Sequence, residues 1–388
     1  MKKLLAALLV AGLIVFSLLL LHDRSYDWGL PEDYPAPRVP ADNAMSDLKV
    51  ALGRRLFYDP RLSRDNSFSC GTCHRQRLAF TDGRARAIGV TGQLHPRSAM
   101  SLVNAAYASR LTWANPLLDS LEVQALTPMF GEEPVEMGMG GREREIIRML
   151  QDDAQYRKLL PRAFSRDRDP YSILNVTRSI AAFVRSIVSF DSPYDRYLQG
   201  DPTSLGAAEQ RGMALFFSER LECFHCHGGF NFTDSSSHSN AAVERVGFHN
   251  TGLYNVDGEG AYPAGNTGLH DVTGRTRDMG RFRAPTLRNI GMTAPYMHDG
   301  SIATLDEVID HYARAGRSLG EGPFRGDGSR NPYKSEFIVG FSLAEPERAD
   351  LLAFLHALTD TGVLNDPAWS DPFAATAEPA GAGSVPRR

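Results

Sequence analysis

The sequence has few cysteines, no excess of basic residues and few alternating strand patterns. Its 388 residues include four cysteines and carry a formal net charge of −4, so no basic stripe points to a nucleic-acid partner. Runs in which apolar and polar residues alternate are scarce, which favours a mainly α-helical fold. The length is enough for two domains of ordinary size, each with its own core.

One long hydrophobic run stands at the N-terminus. Residues 4–21 contain no charged side chain, and a helix of this length would extend roughly 27 Å, close to the thickness of a bilayer core. The run ends without the small-residue pattern of a cleavage site. Residues 1–24 are therefore predicted to form an apolar helix that anchors the chain, with a cleaved signal peptide as the alternative. Lys2 and Lys3 would stay inside, which places the rest of the chain in the bacterial periplasm.

All four cysteines belong to two copies of a C-x-x-C-H pattern. The copies are Cys70-Gly71-Thr72-Cys73-His74 and Cys223-Phe224-His225-Cys226-His227. In such a pattern two thiols one helical turn apart can bond to the two vinyl groups of a haem, and the histidine presents its imidazole to the iron. Two disulfides or a zinc site are the alternatives for these residues. The repeated pattern predicts two covalently attached haems of the c type.

A weak internal repeat precedes the two haem motifs. Residues 53–57 (GRRLF) and 212–216 (GMALF) both have the pattern of a helix that leads into a haem-binding loop. Two related haem domains are therefore expected, rather than one large domain. The predicted divisions of the chain after the N-terminal segment are a first haem domain at 44–200, a second haem domain at 201–364 and a flexible tail at 365–388.

Helix signals accompany both predicted domains. Apolar residues with helical spacing at 180–188 predict a helix that is stopped at 191–193. In the second domain, Thr304 with Glu307 and Ser342 with Glu345 fit capping boxes that open two further helices. The stretch 229–280 is rich in glycine and asparagine and is expected to form long irregular loops.

Several strings around the haem motifs resemble the bacterial di-haem cytochrome c peroxidases and their MauG-like relatives. The likeness extends from about residue 44 to 362, with specific strings at 56–63, 79–83, 284–290 and 293–300. The segments 112–116, 129–134 and 223–232 look most like the MbnH branch, which is associated with methanobactin gene clusters. The resemblance implies two cytochrome-c-like haem domains with long irregular loops, in a mainly α-helical fold.

The resemblance implies peroxide chemistry at the first haem, with His74 as the proximal ligand of its iron. In other peroxidases of the family a distal histidine precedes an Arg-Asn pair. Here the pair corresponds to Arg97 and Ser98, and Val90 stands where the histidine is expected. The iron would therefore be open at rest. His95 lies too near Arg97 to match and is predicted to be a loop residue.

The family's distal pocket contains a glutamine, a proline and a glutamate. Gln124, Pro128 and Glu136 match these positions, and a carboxyl group with a raised pKa at Glu136 would move a proton between the peroxide oxygens. The interval between the proline and the glutamate is two residues longer than in the peroxidases. Glu132 and Glu133 are therefore alternatives for the same role.

The second axial ligand of the second haem distinguishes the branches of the family, because peroxidases use methionine and MauG-like proteins use tyrosine. Tyr312, at the end of the string 307–312, matches the tyrosine. His227 and Tyr312 would then both bind the second iron, and an anionic phenolate would stabilise its higher oxidation states. An ordinary core tyrosine is the alternative. Met297 is expected to be a packing residue.

Three further positions carry expectations from the family. Trp113 matches a tryptophan that lies between the haems and could relay electrons, although a core role is the alternative. Relatives hold calcium beside the Arg-Asn pair, so one Ca²⁺ is expected near Ser98. Leu221 stands where MauG-like proteins place a tryptophan on the route to their protein substrate, so that route cannot be transferred to this chain.

The function implied by the resemblance is oxidation by hydrogen peroxide. The two haems would reach a bis-ferryl-type state and take two electrons from tryptophan in a partner protein. One alternative is a cytochrome c peroxidase that removes hydrogen peroxide with electrons from a small redox protein. Another is a non-catalytic di-haem electron carrier. Contact with a membrane would come through residues 1–24 if they are not cleaved.

Overall fold

The computed structural model describes residues 26–374 as a mainly α-helical protein whose helices are joined by long irregular segments. The α-helices are α1 (Asp47–Tyr58), α2 (Cys70–Cys73), α3 (Leu121–Gln124), α4 (Leu126–Phe130), α5 (Glu143–Asp152), α6 (Ala154–Ala163), α7 (Ile173–Ser186), α8 (Pro193–Leu198), α9 (Ala207–Phe216), α10 (Cys223–His227), α11 (His270–Thr273), α12 (Leu305–Ala313), α13 (Glu345–His356) and α14 (Thr361–Asn365). Short 3-10 helices span Pro60–Leu62, Gln76–Leu78, Ala105–Tyr107, Thr276–Asp278, Ile290–Met292 and Gly328–Arg330. Strands β1 (Ser318–Leu319) and β2 (Gly326–Asp327) pair antiparallel.

The predicted N-terminal apolar helix at 1–24 lies outside the described residues. Between residues 26 and 374, none of the helices is long and apolar enough to cross a membrane. The mainly α-helical class predicted from the sequence is confirmed for this part of the chain.

The helices pack around two hydrophobic cores, one beside each haem motif. Helices α1 and α7 form the centre of the first core, which includes the fully buried Phe57 and Phe183. Helices α9 and α13 form the centre of the second core, with Phe216 and Phe354 buried in the same way. Each core therefore lies against the helix that leads into one C-x-x-C-H motif.

The two helix pairs cross in the same manner, and a glycine stands at each crossing. A Cβ atom on Gly53 of α1 would lie 1.8 Å from the carbonyl oxygen of Ser179 on α7. A Cβ atom on Gly212 of α9 would lie 1.9 Å from the carbonyl oxygen of Asp350 on α13. Only glycine permits this close approach of two helix backbones. The weak repeat in the sequence thus corresponds to a repeated helix crossing.

The C-terminal residues return to the first core. Val363 is buried there, and Trp369 and Phe373 pack against its edge. The Tyr58 hydroxyl donates a hydrogen bond to the carbonyl oxygen of Trp369 at 2.8 Å. The prediction of a flexible tail from residue 365 is therefore wrong as far as 374, because two aromatic side chains give this short segment enough apolar surface to pack. Residues 375–388 lie outside the described residues.

The capping predictions for the second domain had different outcomes. The box at Thr304 is confirmed, since Glu307 donates its N–H to the Thr304 side chain and accepts the N–H of Thr304 at 3.0 Å. The box at Ser342 is wrong, because α13 begins three residues later with Ala344 as its N-cap. The Glu347 carboxylate accepts the N–H of Ala344 at 2.9 Å. A side chain in the first turn of α13 therefore caps the helix in place of Ser342.

The predicted end of the long helix in the first domain is also wrong. Helix α7 ends at Ser186, before the expected stop at 191–193. Ser192 instead begins the next helix, and its side chain accepts the N–H of Asp195. Pro193 occupies the first turn of α8, where its missing N–H has no intrahelical partner to lose.

A buried ion pair joins α8 to the segment near residue 288. Two nitrogens of Arg288 donate to the two carboxylate oxygens of Asp195 at 2.8 and 2.9 Å. The Tyr34 hydroxyl donates to the same carboxylate at 2.5 Å. Both charged side chains are at most 1% exposed. This cluster joins the N-terminal segment of the described chain to α8 and to the segment near residue 288.

We expect Asp195→Asn to destabilise the protein by about 3–5 kcal/mol, because it leaves the buried Arg288 guanidinium without a counter-charge. Urea unfolding of the haem-loaded protein measures this loss. Asp191→Asn is the matched control, since Asp191 pairs with Arg196 at the surface, where the two side chains are 74% and 44% exposed. That change should cost below about 1 kcal/mol. Equal losses in the two variants would contradict the prediction.

Candidate functional site

A cavity of about 580 Å³ lies beside the first haem motif. It collects residues that are far apart in the sequence but were predicted to act together. Those residues are Cys70, Cys73, His74, Trp113, Gln124, Pro128 and Glu136. Ser98, His95 and Met297 line the same cavity. The structure therefore brings the predicted distal residues to the first motif.

The histidines of both motifs are oriented by backbone carbonyl groups. His74 Nδ1 lies 2.8 Å from the carbonyl oxygen of Phe80, and His227 Nδ1 lies 3.2 Å from that of Phe232. In this arrangement Nδ1 donates a hydrogen bond and Nε2 keeps its lone pair for a metal. Burial lowers the pKa of both histidines, which favours the neutral imidazole that binds iron. The histidine of each motif thus meets the requirements for a ligand of haem iron.

Glu136 is half-buried and is the less exposed of the two glutamates that line the cavity. Burial raises the pKa of its carboxyl group to about 7, and its side chain makes no hydrogen bond within the described residues. Glu132 and Glu133 are both exposed to solvent, although Glu133 also lines the cavity. A carboxyl group that titrates near neutral pH can both accept and return a proton. This property favours Glu136 over its two rivals.

The backbone around Glu136 is held by neighbours on both sides. Val90 donates its N–H to the carbonyl oxygen of Glu136 at 2.7 Å, and Met137 donates to the carbonyl oxygen of Pro128 at 2.9 Å. Gly89 approaches so closely that a Cβ atom there would lie 1.8 Å from the carbonyl oxygen of Val135. Pro128 and the loop at 89–90 therefore fix where the Glu136 side chain enters the cavity.

We expect Gly89→Ala to push this segment away, since overpacking of this kind costs about 1–3 kcal/mol and a 1 Å displacement of a catalytic group can cost about 10²-fold in rate. Thermal unfolding and stopped-flow reaction with hydrogen peroxide measure the two effects. Gly320→Ala is the control, because a Cβ atom on Gly320 meets no atom within 4 Å. A peroxide rate in Gly89→Ala equal to that of Gly320→Ala would contradict the expected role of this contact.

Gln124 and Trp113 occupy different walls of the cavity. The Gln124 side-chain oxygen is buried and has no hydrogen-bond partner among residues 26–374, so it is free to interact with a bound molecule. Trp113 donates its indole N–H to the carbonyl oxygen of Ser98 at 3.0 Å and also packs against the second core. Trp113 therefore contacts both halves of the molecule.

Ser98 and His95 hold the loop that leads into the cavity. Ser98 donates its N–H to the carbonyl oxygen of His298 at 2.9 Å, and its hydroxyl donates to that of Met297 at 3.3 Å. Arg97 donates its N–H to Nδ1 of His95 at 3.1 Å. Met297 packs against the second core. The expected calcium near Ser98 stays a prediction.

Sequence reasoning missed Arg283, a cavity residue that is 7% exposed. Its guanidinium donates to the carbonyl oxygen of Thr112 at 3.2 Å and contacts the Met100 sulfur, but it forms no ion pair within the part of the chain described. Burial lowers the pKa of Arg283 to about 10. Asp234 acts on this cation only from a distance, and a buried cation without a direct ion pair suits an anionic ligand group such as a haem propionate. Its position immediately before the string 284–290 was the available signal.

Tyr312 lies beside the second haem motif. It is half-buried, and the thiols of Cys223 and Cys226 are within electrostatic reach of its phenol group. Burial raises the pKa of Tyr312, and its hydroxyl forms no hydrogen bond to any described residue. The neighbouring His311 instead has Arg317 and Lys334 as its charged neighbours. Of the two residues, Tyr312 is the one that lies within electrostatic reach of the thiols of the second motif.

The donor set at both motifs therefore fits covalently attached haem. Each motif combines two thiols with an oriented, neutral histidine, and Arg283 offers a buried cation beside the first. The second motif adds the Tyr312 oxygen, which accepts and donates no hydrogen bond within the described part of the chain. Leu221, which precedes the second motif, is buried in the second core and supplies no aromatic ring.

This fold and this pair of motifs define a di-haem cytochrome of the peroxidase class, and the chain belongs to the di-haem cytochrome c peroxidase and MauG family. The sequence model described as "Di-haem cytochrome c peroxidase" matches residues 47–203. The protein is thus a haem-dependent oxidoreductase that acts with hydrogen peroxide, and it carries two c-type haems.

Three relatives illustrate the match. The chain is 34% identical over 331 residues to the methylamine utilization protein MauG of Methylorubrum extorquens, covering 84% of this chain and 82% of the relative. It is 36% identical over 344 residues to a cytochrome-c peroxidase of Pseudomonas sp. strain SCT, covering 84% of each. A solved MauG-like protein associated with microbial copper homeostasis is 51% identical with a TM-score of 0.88, covering 90% of this chain and 99% of that one. The family predicted from the sequence is confirmed.

Proposed function

We propose that this protein is a MauG-like oxidase that uses hydrogen peroxide to remove two electrons from tryptophan in a partner protein. The observation that carries the proposal is the difference between the two haem motifs. Beside the first lies a cavity with a half-buried acid, and beside the second lies a tyrosine oxygen without a hydrogen-bond partner among residues 26–374. With haem bound, the first motif would offer an iron that peroxide can reach, and the second would offer an iron held by an added phenolate, which suits a two-electron oxidase.

We assign each predicted residue a role on this basis. Cys70 and Cys73 would attach the first haem, and His74 would hold its iron. Glu136 accepts the proton of the incoming peroxide and returns it to the departing oxygen, while Gln124 and Pro128 shape the space around it. The bound haem supplies the iron that reacts with peroxide.

The second haem is assigned to the second motif in the same way. Cys223 and Cys226 would attach it, His227 and Tyr312 would both hold its iron, and Trp113 would relay electrons between the halves. The buried cation of Arg283 would hold an anionic group of the haem, and its backbone N–H donates to the Trp113 carbonyl oxygen at 2.7 Å. One Ca²⁺ near Ser98 remains part of the proposal.

The proposed location and partner of the protein are based on haem chemistry and on the similarity to relatives. Attachment of c-type haem and the N-terminal hydrophobic segment suit the periplasm, and anchoring by residues 1–24 stays a prediction. The 51% identity to a MauG-like protein of copper homeostasis supports a partner that handles copper. Because electrons can leave through the protein, the partner's tryptophan need not enter the 580 Å³ cavity.

Peroxide removal with electrons from a small redox protein is the second candidate. Its support is the 36% identity to a cytochrome-c peroxidase over most of both chains. Tyr312 does not favour peroxide removal as the function, because the peroxidases of the family use methionine at the corresponding position. The electron-carrier alternative is set aside, because the family acts with peroxide.

Spectroscopy of the purified ferric protein tests the proposal. We expect one high-spin and one low-spin haem in electron paramagnetic resonance, followed by a long-lived oxidised state after one equivalent of hydrogen peroxide. Two low-spin haems that do not respond to peroxide would overturn it. Rapid turnover with a reduced small cytochrome, without an accumulating oxidised state, would instead favour the second candidate.

A further inference from the structure

A chain of aromatic rings leads from Trp113 into the second domain. Trp113 meets His298 at a ring distance of 6.5 Å, and His298 meets Tyr262 at 6.4 Å. Tyr262 meets Tyr254 at 5.5 Å. The rings form an unbroken series of contacts, and three of the four are side chains that a strong oxidant can oxidise.

The chain ends at the protein surface and also passes the second haem motif. Tyr254 is 5% exposed, but its ring meets Phe324 at 5.7 Å, and Phe324 is 43% exposed. Tyr262 is within electrostatic reach of Tyr312. The series therefore joins the centre of the molecule, beside both haem motifs, to solvent through a single outer ring. The route known from MauG-like proteins, by contrast, has Leu221 in place of its tryptophan and therefore lacks an aromatic side chain at that position.

The hydrogen-bond partners of the three oxidisable side chains differ. The Trp113 N–H donates to a backbone carbonyl oxygen, and the Tyr262 hydroxyl donates to the Asn250 side-chain oxygen at 2.8 Å. Neither acceptor is a base. The Tyr254 hydroxyl donates to the Asp299 carboxylate at 2.6 Å. A phenol can lose an electron far more readily when a base takes its proton at the same time, and this distance is within proton-transfer reach.

Asp299 is available as that base. Burial alone would raise the pKa of its carboxyl group, but the adjacent His298 and the hydrogen bonds from Tyr254 and Ser301 outweigh burial and lower the pKa. The carboxylate is therefore ionised at neutral pH. Tyr254 is thus the residue of the series that can hold an oxidising equivalent as a tyrosyl radical.

We propose that Trp113, Tyr262 and Tyr254 form the electron route between the haem pair and the protein substrate. Tyr254 and Asp299 form the end of this route that lies nearest the surface. The proposal rests on the proposed function. One electron passes from Tyr254 to the peroxide-oxidised haem pair while the phenol proton moves to the Asp299 carboxylate. The substrate then supplies one electron to the tyrosyl radical, and Asp299 returns the proton. Hydrogen peroxide is the oxidant, and two such passages consume both equivalents.

The test is electron paramagnetic resonance of the haem-loaded protein, made with ring-deuterated tyrosine and frozen after one equivalent of hydrogen peroxide. We expect a radical signal that narrows with the deuterium label. Tyr254→Phe should lose most of that signal, because Phe keeps the ring but has no phenol to oxidise. Tyr262→Phe should delay its appearance. Asp299→Asn should lower its yield while leaving every ring of the series in place.

Tyr156→Phe is the matched control. Tyr156 is also a buried tyrosine that donates to a carboxylate, at 2.7 Å from Asp59, but it lies in the first core away from the series. Its radical signal should equal that of the wild type. If Tyr254→Phe and Asp299→Asn both keep the full signal while peroxide still produces the optical change at the haems, the route is wrong and the proposed function stands. If peroxide produces no optical change in the wild type, both proposals fall.

Discussion

Replacing Glu136 by glutamine should slow the reaction with hydrogen peroxide by about 10²–10⁴-fold, which is the usual contribution of a general acid–base group. Glutamine has nearly the same shape but cannot accept the peroxide proton. The cavity should therefore keep its form, and both haems should still attach. Stopped-flow absorbance of the haem-loaded protein measures the loss.

The pH profile identifies the group responsible. Burial raises the pKa of Glu136 from 4.5 to about 7. Since the carboxylate is the form that takes the proton, the peroxide rate of the wild type should rise as the pH increases through 7 and then level off. The profile of Glu136→Gln should lack this rise.

The free energy of unfolding provides a second check. Ionisation of Glu136 should lower this free energy as the pH rises, whereas it should raise the peroxide rate. A carboxyl group whose pKa is raised in the folded state lowers stability as the pH rises above its ordinary pKa. Removing the charge should therefore leave Glu136→Gln at least as stable as the wild type at pH 8. A large loss of stability would mean that the slow reaction reflects damage to the fold.

Glu133→Gln separates the two candidate acids. Glu133 lines the same cavity but is exposed to solvent. Its replacement should leave both the peroxide rate and the pH profile close to those of the wild type. If Glu133→Gln is slow and Glu136→Gln is not, the assignment of the acid is reversed.

Replacing Tyr312 by phenylalanine should have the second large effect. The second iron would lose an anionic ligand, so its midpoint potential should rise on the order of 100 mV, within the roughly 0.8 V over which axial ligands act. The low-spin signal of the second haem should change, and the two-equivalent-oxidised state should decay faster. Redox titration, paramagnetic resonance and the decay after peroxide measure these effects.

His311→Gln is the control on the same helix. His311 is buried beside Tyr312, but its charged neighbours are Arg317 and Lys334 rather than the cysteine thiols. Its replacement should cost stability without changing the spectrum of the second haem. A spectrum that changes in His311→Gln and not in Tyr312→Phe would transfer the axial role to the histidine.

The sequence was most informative where chemistry demands a fixed local spacing. The C-x-x-C-H motifs and the Thr304 capping box each depend on residues within one helical turn, so no distant contact can alter them. Glu136 was harder, because three acids stand within five positions of one another. Only burial distinguishes them, and burial is set by Gly89, Val90 and Pro128 from other parts of the chain.

One of the failures is local and the other depends on a distant contact. The Ser342 box satisfies the local pattern, yet Ala344 and Glu347 provide an equivalent start two residues further on. Trp369 appears among loop-forming residues, and its value to the fold comes from the distant first core. The ring series from Trp113 to Phe324 joins segments far apart in the chain, and no pattern in any one segment points to it.

The glycines at the two helix crossings have a consequence for ancestry. Gly53 and Gly212 stand four residues before Phe57 and Phe216, whose rings meet Phe183 and Phe354 at 5.0 and 5.4 Å. Around these crossings the two halves differ, since one borders the cavity and the other borders Tyr312. A crossing that tolerates neither a larger residue nor a shifted ring resists drift. It would therefore preserve the trace of a gene duplication after the surrounding residues have changed.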